Sequence, residues 1–196
     1  MIVEEVAENL SYDRRSSRDS ELKEKIAAAA AGLIRDGETV LLNSSSVVSL
    51  MPRYMTARNL TVITNSIRIA QELKNRESCV LILLGGLYLK NAETIEGPTT
   101  VSQIQSMKYD KAFIGVNGVD RDFGLSTASE LEAATKIAAM AQARESFCLS
   151  EHSKFGKTAL YKLCPLTAVQ GIVTDSGLDP ELRQEYGALT RLLIAQ

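Results

Sequence analysis

Residues 39–86, TVLLNSSSVVSLMPRYMTARNLTVITNSIRIAQELKNRESCVLILLGG, decide the fold. Their apolar runs, Thr39 to Leu42, Leu60 to Thr64 and Cys79 to Leu84, are rich in Val, Ile and Leu and lack the in-and-out alternation of a half-solvated strand. Continuous apolar runs suit strands covered on both faces, as in a parallel sheet. Val47 to Tyr54 and Ile67 to Asn75, between them, read as helices. Outward from this stretch the alternation continues. Further runs lie at Ala112 to Val116, Ser146 to Leu149 and Val169 to Thr174, with a weaker one at Thr190 to Ile194, and helical segments intervene at Thr99 to Met107, Leu131 to Ala143 and Pro180 to Tyr186. Upstream, Asp19 or Ser20 caps an alanine-rich helix over Glu21 to Arg35 that Gly37 stops. The expected fold is α/β: an open, mainly parallel sheet with helices on both faces.

The bulk composition narrows the function. With 45% apolar and 23% charged residues over 196 positions, the chain has enough apolar material for one large buried core, and residues 19–196 are expected to form it. The polar stretch 1–18 is expected to be an extended arm. Net charge is -2, with acidic and basic residues interspersed, so the chain lacks the clustered Lys and Arg of a DNA-binding surface. Cys79, Cys148 and Cys164 are far apart in apolar stretches and read as buried thiols, and a single histidine, His152, argues against a histidine metal site. No metal and no cofactor is expected. No apolar run approaches a membrane span and the N-terminus is acidic, so the expected compartment is the cytoplasm, with no membrane partner.

In a parallel sheet, ligands bind beyond the carboxyl ends of the strands. The residues at those ends are consistently small and polar: Asn43, Ser44, Ser45 and Ser46; Thr64, Asn65 and Ser66; Gly85 and Gly86; Asn117 and Gly118; Ser150 to Lys154; Asp175 to Gly177. Hydroxyls and free N–H groups at helix N-termini suit a phosphate monoester, and Lys154 adds a cation. Serine and asparagine are also the preferred helix caps, so for any one loop taken singly both roles stand. Gly124 to Thr127 reads as a hydroxyl loop leading into a helix that carries Glu130 and Lys136, which could hold sugar hydroxyls and a phosphate together. Lys136 and Lys154 are expected at the surface, where alanine substitution would weaken phosphate binding and leave the melting temperature nearly unchanged. A nucleophile elbow, a Walker loop and a dinucleotide fingerprint are all missing from the sequence.

The succession LTVITNS (60–66), LILLGG (81–86), DKAFIGVNGVD (110–120), GLST (124–127) with Glu130, SKFG (153–156) and IVTDSG (172–177) resembles the C-terminal effector domain of the DeoR family of bacterial repressors. The likeness runs from about Glu4 to the C-terminus. It implies a fold similar to ribose-5-phosphate isomerase and glucosamine-6-phosphate deaminase, and an effector that is a phosphorylated sugar or related metabolite. It also implies that DNA is read only through an N-terminal winged helix-turn-helix absent from this chain, and a homodimer or homotetramer that pairs such modules. Matched position by position, it nominates Asn43, Ser44, Ser45, Ser46, Thr64, Asn65, Ser66, Gly85, Gly86, Asn117, Gly118, Thr127, Glu130, Lys136 and Lys154 as ligand-facing, with no catalytic residue.

Departures from the family pattern matter here. Asn43 stands where an acid is common, Ser45 where a glycine is common, and Asn117 where Asp is more frequent. An amide is no general base at neutral pH, which disfavours isomerase chemistry at Asn117. The competing expectations are a sugar-phosphate isomerase or deaminase using Glu130 and Lys136 as proton carriers, and a ligand-free oligomerisation domain.

Overall fold

Leu41, in the middle of the first apolar run, lies between Ile63 and Ala112 of the two neighbouring strands. It packs with Ile104 and Ala139 on one face of the sheet, while Val40 and Leu42 pack with Ile26, Met51 and Ile69 on the other. Both faces of this strand are therefore core, as its unbroken apolar run requires.

The computed structural model describes residues 20–196, so the arm expected over residues 1–18 lies outside the described residues. The chain order is α1 (Ser20–Ala31), β1 (Thr39–Leu42), a 3-10 turn (Val48–Arg53), β2 (Leu60–Thr64), α2 (Ile67–Leu73), β3 (Cys79–Leu83), β4 (Leu87–Leu89), β5 (Thr94–Glu96), α3 (Pro98–Gln105), β6 (Tyr109–Gly115), β7 (Gly118–Asp120), β8 (Gly124–Thr127), α4 (Glu130–Gln142), β9 (Ala143–Leu149), β10 (Tyr161–Cys164), β11 (Gly171–Asp175), α5 (Pro180–Gly187) and β12 (Leu192–Ala195). The main sheet has seven strands in the order β12-β11-β9-β6-β1-β2-β3, and every neighbouring pair is parallel. α1, the 3-10 turn and α2 cover one face, and α3 with α4 cover the other. A further apolar cluster joins Cys148 and Ile172 of the sheet to Val119, Leu125 and Tyr186. Cys148 is buried and Cys79 and Cys164 partly so; burial pushes all their thiols up, that of Cys164 to about 11.

The expected parallel sheet is present, and its differences from expectation are local. α1 ends at Ala31, short of Arg35, because after Gly32 the N–H groups of Leu33 and Ile34 fall back to the carbonyls of Ala30 and Ala31. The helix expected over Val47 to Tyr54 is the 3-10 turn, which carries Pro52, a residue with no N–H to donate. Gly124 to Thr127 is the strand β8, where a loop was expected. Asp120 accepts the N–H groups of Asp122 and Phe123, Gly124 turns at φ +87°, and the chain folds back to pair β8 with β7 and then with β10.

α5 shows local chemistry setting a boundary. Asp179 accepts the Glu181 N–H at 2.8 Å just ahead of Pro180. Asp179→Ala is expected to destabilise by about 1 kcal/mol, read as a lower denaturant midpoint at constant slope. An unchanged midpoint would show that the cap contributes nothing.

Candidate functional site

Strand order places the site. From β1 at the centre, the chain runs outward through β2 and β3 to one edge, then returns to β6 on the other side of β1 and proceeds to β12. The order reverses between β1 and β6, the switch point beyond which open α/β sheets offer a ligand crevice at the carboxyl ends of their strands. The floor of that crevice is tightly made. The Asn43 side-chain oxygen accepts the Gly115 N–H at 2.9 Å, and a Cβ on Gly115 would fall 2.3 Å from Ser45 Oγ. Ser45 Oγ itself accepts the Val48 N–H at 3.0 Å and opens the 3-10 turn.

One hydrogen-bonded network ties β1 and β2 to the β4–β5 hairpin. The Asn65 side chain accepts the Ser44 N–H at 2.9 Å and donates to Thr94 Oγ1, the Ile95 carbonyl and Glu96 Oε1 at 3.0, 3.1 and 3.0 Å. Ser44 Oγ meets Thr94 Oγ1 at 2.5 Å, and Thr94 in turn reaches Glu96 Oε1 at 3.0 Å. Glu96 Oε2 meets the Thr135 hydroxyl of α4. The hairpin is held from outside as well, by the Arg68–Glu93 ion pair between α2 and the β4–β5 turn.

A second network joins β6, β8 and α4. Lys136 Nζ donates to Thr127 Oγ1 at 3.0 Å and to Glu132 Oε2 at 2.7 Å, and Thr127 Oγ1 lies 2.9 Å from Asn117 Oδ1 and 2.8 Å from Glu132 Oε2. The networks meet on α4, where Thr135 and Lys136 are adjacent. Burial pushes the Glu96 carboxyl up to about 7; hydrogen bonds from Thr135 and Thr94 and the Lys136 ammonium pull the other way, and the Glu132 charge adds to the rise. The result is a rim of hydroxyl, amide and backbone donors around one buried ammonium, a set that can hold an anion and sugar hydroxyls. Among the described residues no group of three or more His, Cys, Asp or Glu could hold a metal ion.

Comparison with known proteins gives the family and the fold. The DeoR C-terminal sensor domain matches residues 18–176. The chain belongs to that family. It is 36% identical over 165 residues to the HTH-type transcriptional repressor GlcR of Bacillus subtilis, covering 84% of this chain and 64% of GlcR. It is 33% identical over 180 residues to the lactose phosphotransferase system repressor of Streptococcus mutans, covering 89% and 70%. It is 27% identical over 169 residues to the glycerol-3-phosphate regulon repressor of Escherichia coli, covering 86% and 67%. The chain thus spans less than two thirds of the length of GlcR. In fold it is similar to eIF2B beta of Chaetomium thermophilum, at TM-score 0.56 and 17% identity over 88% of this chain and 54% of that one. It is also similar to ribose 5-phosphate isomerase A of Neisseria gonorrhoeae, at TM-score 0.50 and 13% identity over 70% and 54%.

Within this DeoR sensor domain the expected residues divide. Asn43, Ser44, Ser45, Asn65, Asn117, Thr127 and Lys136 come together in the two networks and the crevice floor. Gly85 and Gly86 abut α3 and β5: Gly85 N–H donates to Gln103 at 2.9 Å, and Gly86 faces the Glu96 carbonyl. Ser46 is half-buried in the first loop. Thr64 and Ser66 have structural tasks. Thr64 Oγ1 donates to the Leu42 carbonyl at 2.7 Å, and Ser66 Oγ accepts the Ile69 N–H at the start of α2. Gly118 lies within β7, where a Cβ would meet the Lys157 carbonyl at 2.5 Å. Lys154 belongs to the loop after β9, where Asp175 accepts the N–H groups of His152 and Gly177 and holds His152 Nδ1 at 2.7 Å.

One expectation is corrected: Lys136 is not a surface residue, being 3% exposed. Its ammonium is held by Glu132, four residues back on the same face, while Glu130 is exposed at the first position of α4. Thr94, Glu96, Glu132 and Thr135 were not expected in the site. The (i, i+4) spacing of Glu132 and Lys136 was a usable signal, whereas Glu96 carried none of its own.

Proposed function

We propose that residues 19–196 form the ligand-sensing part of a cytoplasmic transcriptional repressor, and that the rim at the β1/β6 switch point binds a phosphorylated sugar or a related anionic metabolite without transforming it. The observation that carries this reading is the linkage of two strand-end networks, Ser44 with Asn65 and Asn117 with Thr127 and the buried Lys136 ammonium, through Glu96 and through Thr135 of α4. The relatives' names, a lactose phosphotransferase system repressor and a glycerol-3-phosphate regulon repressor, support a phosphorylated or sugar-derived effector. DNA would be contacted through a separate N-terminal module of the whole protein, whose affinity shifts because ligand favours one arrangement of paired subunits. A homodimer or homotetramer is supported by apolar side chains along the unpaired edge of β3 and on β4, with Val80 62% and Leu87 58% exposed. The alternative, an isomerase or deaminase using Glu130 and Lys136 as proton carriers, draws less support, because Glu130 is exposed while Lys136 is buried against Glu132.

The test is thermal unfolding with ribose 5-phosphate, glucose 6-phosphate, fructose 6-phosphate and glycerol 3-phosphate, each beside its unphosphorylated parent. A true effector at a hundredfold excess over its dissociation constant should stabilise by about 2.7 kcal/mol, roughly 5–10 °C for a chain of this size. The parents should give no shift. Equal silence from every phosphate ester would favour the ligand-free oligomerisation domain, and interconversion of ribose 5-phosphate into its ketose would make the protein an enzyme.

A further inference from the structure

We propose that Glu96 is the positioning residue that decides when the crevice accepts an anion: uncharged, it bolts the β1 and β2 loops to α4; ionised, it places an uncompensated negative charge beneath the rim. The inference deepens the anion-site reading above and rests on it.

The geometry is that of a hub. Glu96 is 1% exposed, and its two oxygens contact three residues from three different elements. Oε1 takes Asn65 and Thr94, the same two side chains that hold the Ser44 N–H and hydroxyl, while Oε2 takes Thr135. Any ligand drawn to the Ser44 loop therefore sits one hydrogen-bonded residue away from this carboxyl. The contact to Thr135 survives either charge state, because a hydroxyl can donate to a carboxylate or accept from a carboxylic acid. Protonation thus changes the charge without dismantling the network.

Counting charge shows the consequence. Among the described residues, the titratable groups acting electrostatically on Glu96 are Glu132 and Lys136, both on α4. The β2 loop and β5 present it with Asn65 and Thr94, through which Ser44 of the β1 loop is joined to it, and all three are uncharged. Lys136 and Glu132 cancel, so the cluster is neutral when Glu96 is protonated and carries one negative charge when it is not. In the second state Lys136 also faces two carboxylates instead of one. An incoming anion is repelled by that state and must carry a proton in with it. The usual desolvation penalty on a buried carboxylate places this change near neutrality, with the proton lost as pH rises through about 7.

The experiment uses sulfate, whose charge is constant over the range, as the probe, titrated by calorimetry from about pH 6 to about pH 9 into the wild-type chain, Glu96→Gln and Thr135→Val. Wild-type affinity should fall with rising pH, approaching tenfold per pH unit above 7 if only the protonated form binds. Glu96→Gln should be flat and bind more tightly at the alkaline end. Thr135→Val, which removes a donor to the ionised carboxylate, should shift the fall to higher pH. Identical profiles in the wild type and Glu96→Gln would sink the proposal while leaving the anion site intact; so would an unmoved profile in Thr135→Val. If neither sulfate nor any of the four phosphate esters binds any of the proteins, the anion reading itself fails and takes this proposal with it.

A ligand-free arm stands apart from both. Glu96 holds its proton more tightly folded than unfolded, so the folded state binds the extra proton between about pH 4.5 and about pH 7. Wild-type stability should therefore decline across that window relative to Glu96→Gln and run parallel to it above. Parallel curves throughout would show that Glu96 has no such proton and would overturn the proposal alone.

Discussion

Lys136→Met is expected to lower the melting temperature by about 4–12 °C and to abolish anion binding. The ammonium is 3% exposed and supplies hydrogen bonds to Glu132 at 2.7 Å and Thr127 at 3.0 Å. Methionine has a similar length and fills the same space, so the cavity contribution is small and the loss is electrostatic. Removing one partner of a fully buried pair costs about 3–5 kcal/mol, because the other charge is left uncompensated. The Glu132 side chain keeps 18% of its exposure, so some water reaches it and the expected loss drops to about 2–3 kcal/mol. At roughly 2–4 °C per kcal/mol for a chain of this size, that gives the stated shift. Adding Glu132→Gln in the same chain removes the stranded charge and should restore most of the stability but none of the binding, a coupling that a double-mutant cycle isolates. A melting temperature unmoved by Lys136→Met would mean that the ammonium is solvated after all.

How much of this was legible in the sequence depends on where each signal is written. The strands of the main sheet carry their own, since a continuous apolar run needs no partner to be recognised, and β1, β2 and β3 begin where the runs begin; β3, expected to be covered on both faces, lies instead at the sheet edge with Val80, Ile82 and Leu83 exposed. β6 and β9 start three residues before the apolar runs, at Tyr109 and Ala143, because polar residues hid their first turns of pleat. Lys111 is buried mid-strand with Glu38 and Glu145 beside it, and a lone charge in an apolar run otherwise reads as a boundary. The hairpins β4–β5 and β7–β8 were invisible for a different reason. Strands of three or four residues are too short to show a period, and they pair with one another, β4 with β5 and β8 with β7 and β10, in small sheets separate from the main one.

The candidate site divides along the same line. Asn43, Ser44, Asn65, Asn117 and Thr127 could be nominated because strand-end chemistry is local, and Lys136 because it lies on the helix that follows a hydroxyl-bearing segment. Glu96 could not be found that way. Its partners are Asn65, Thr94 and Thr135, and only the hairpin's placement against β2 and α4 brings them together. A carboxylate in TIEGP reads as solvated until the fold dries it. The crevice is thus half written in the main strands and half assembled by an element that has no sequence period, and its geometry depends on how firmly that hairpin is seated.

Gly86→Ala tests the seating and is expected to destabilise by about 3 kcal/mol while weakening anion binding more than tenfold. Gly86 connects β3 to β4 at φ +150°, a conformation that L side chains rarely adopt. A Cβ there would fall 2.2 Å from Thr100 Oγ1, 2.7 Å from the Glu96 carbonyl oxygen and 3.1 Å from Ile95 Cγ2. None of these can swing aside: the carbonyl is backbone, and Thr100 Oγ1 is itself bonded to the Gly85 carbonyl at 2.9 Å. The hairpin must lift, and lifting it pulls on the bonds that join Asn65 to Ile95 and Glu96. Gly187→Ala is the matched control, since nothing lies within 4 Å of a Cβ at that last position of α5. It should leave binding unchanged and stability unchanged or raised by up to about 1 kcal/mol. If Gly86→Ala binds anions as tightly as the wild type, the hairpin does not hold the rim, and the link from Glu96 to the Ser44 loop is structural decoration without functional consequence.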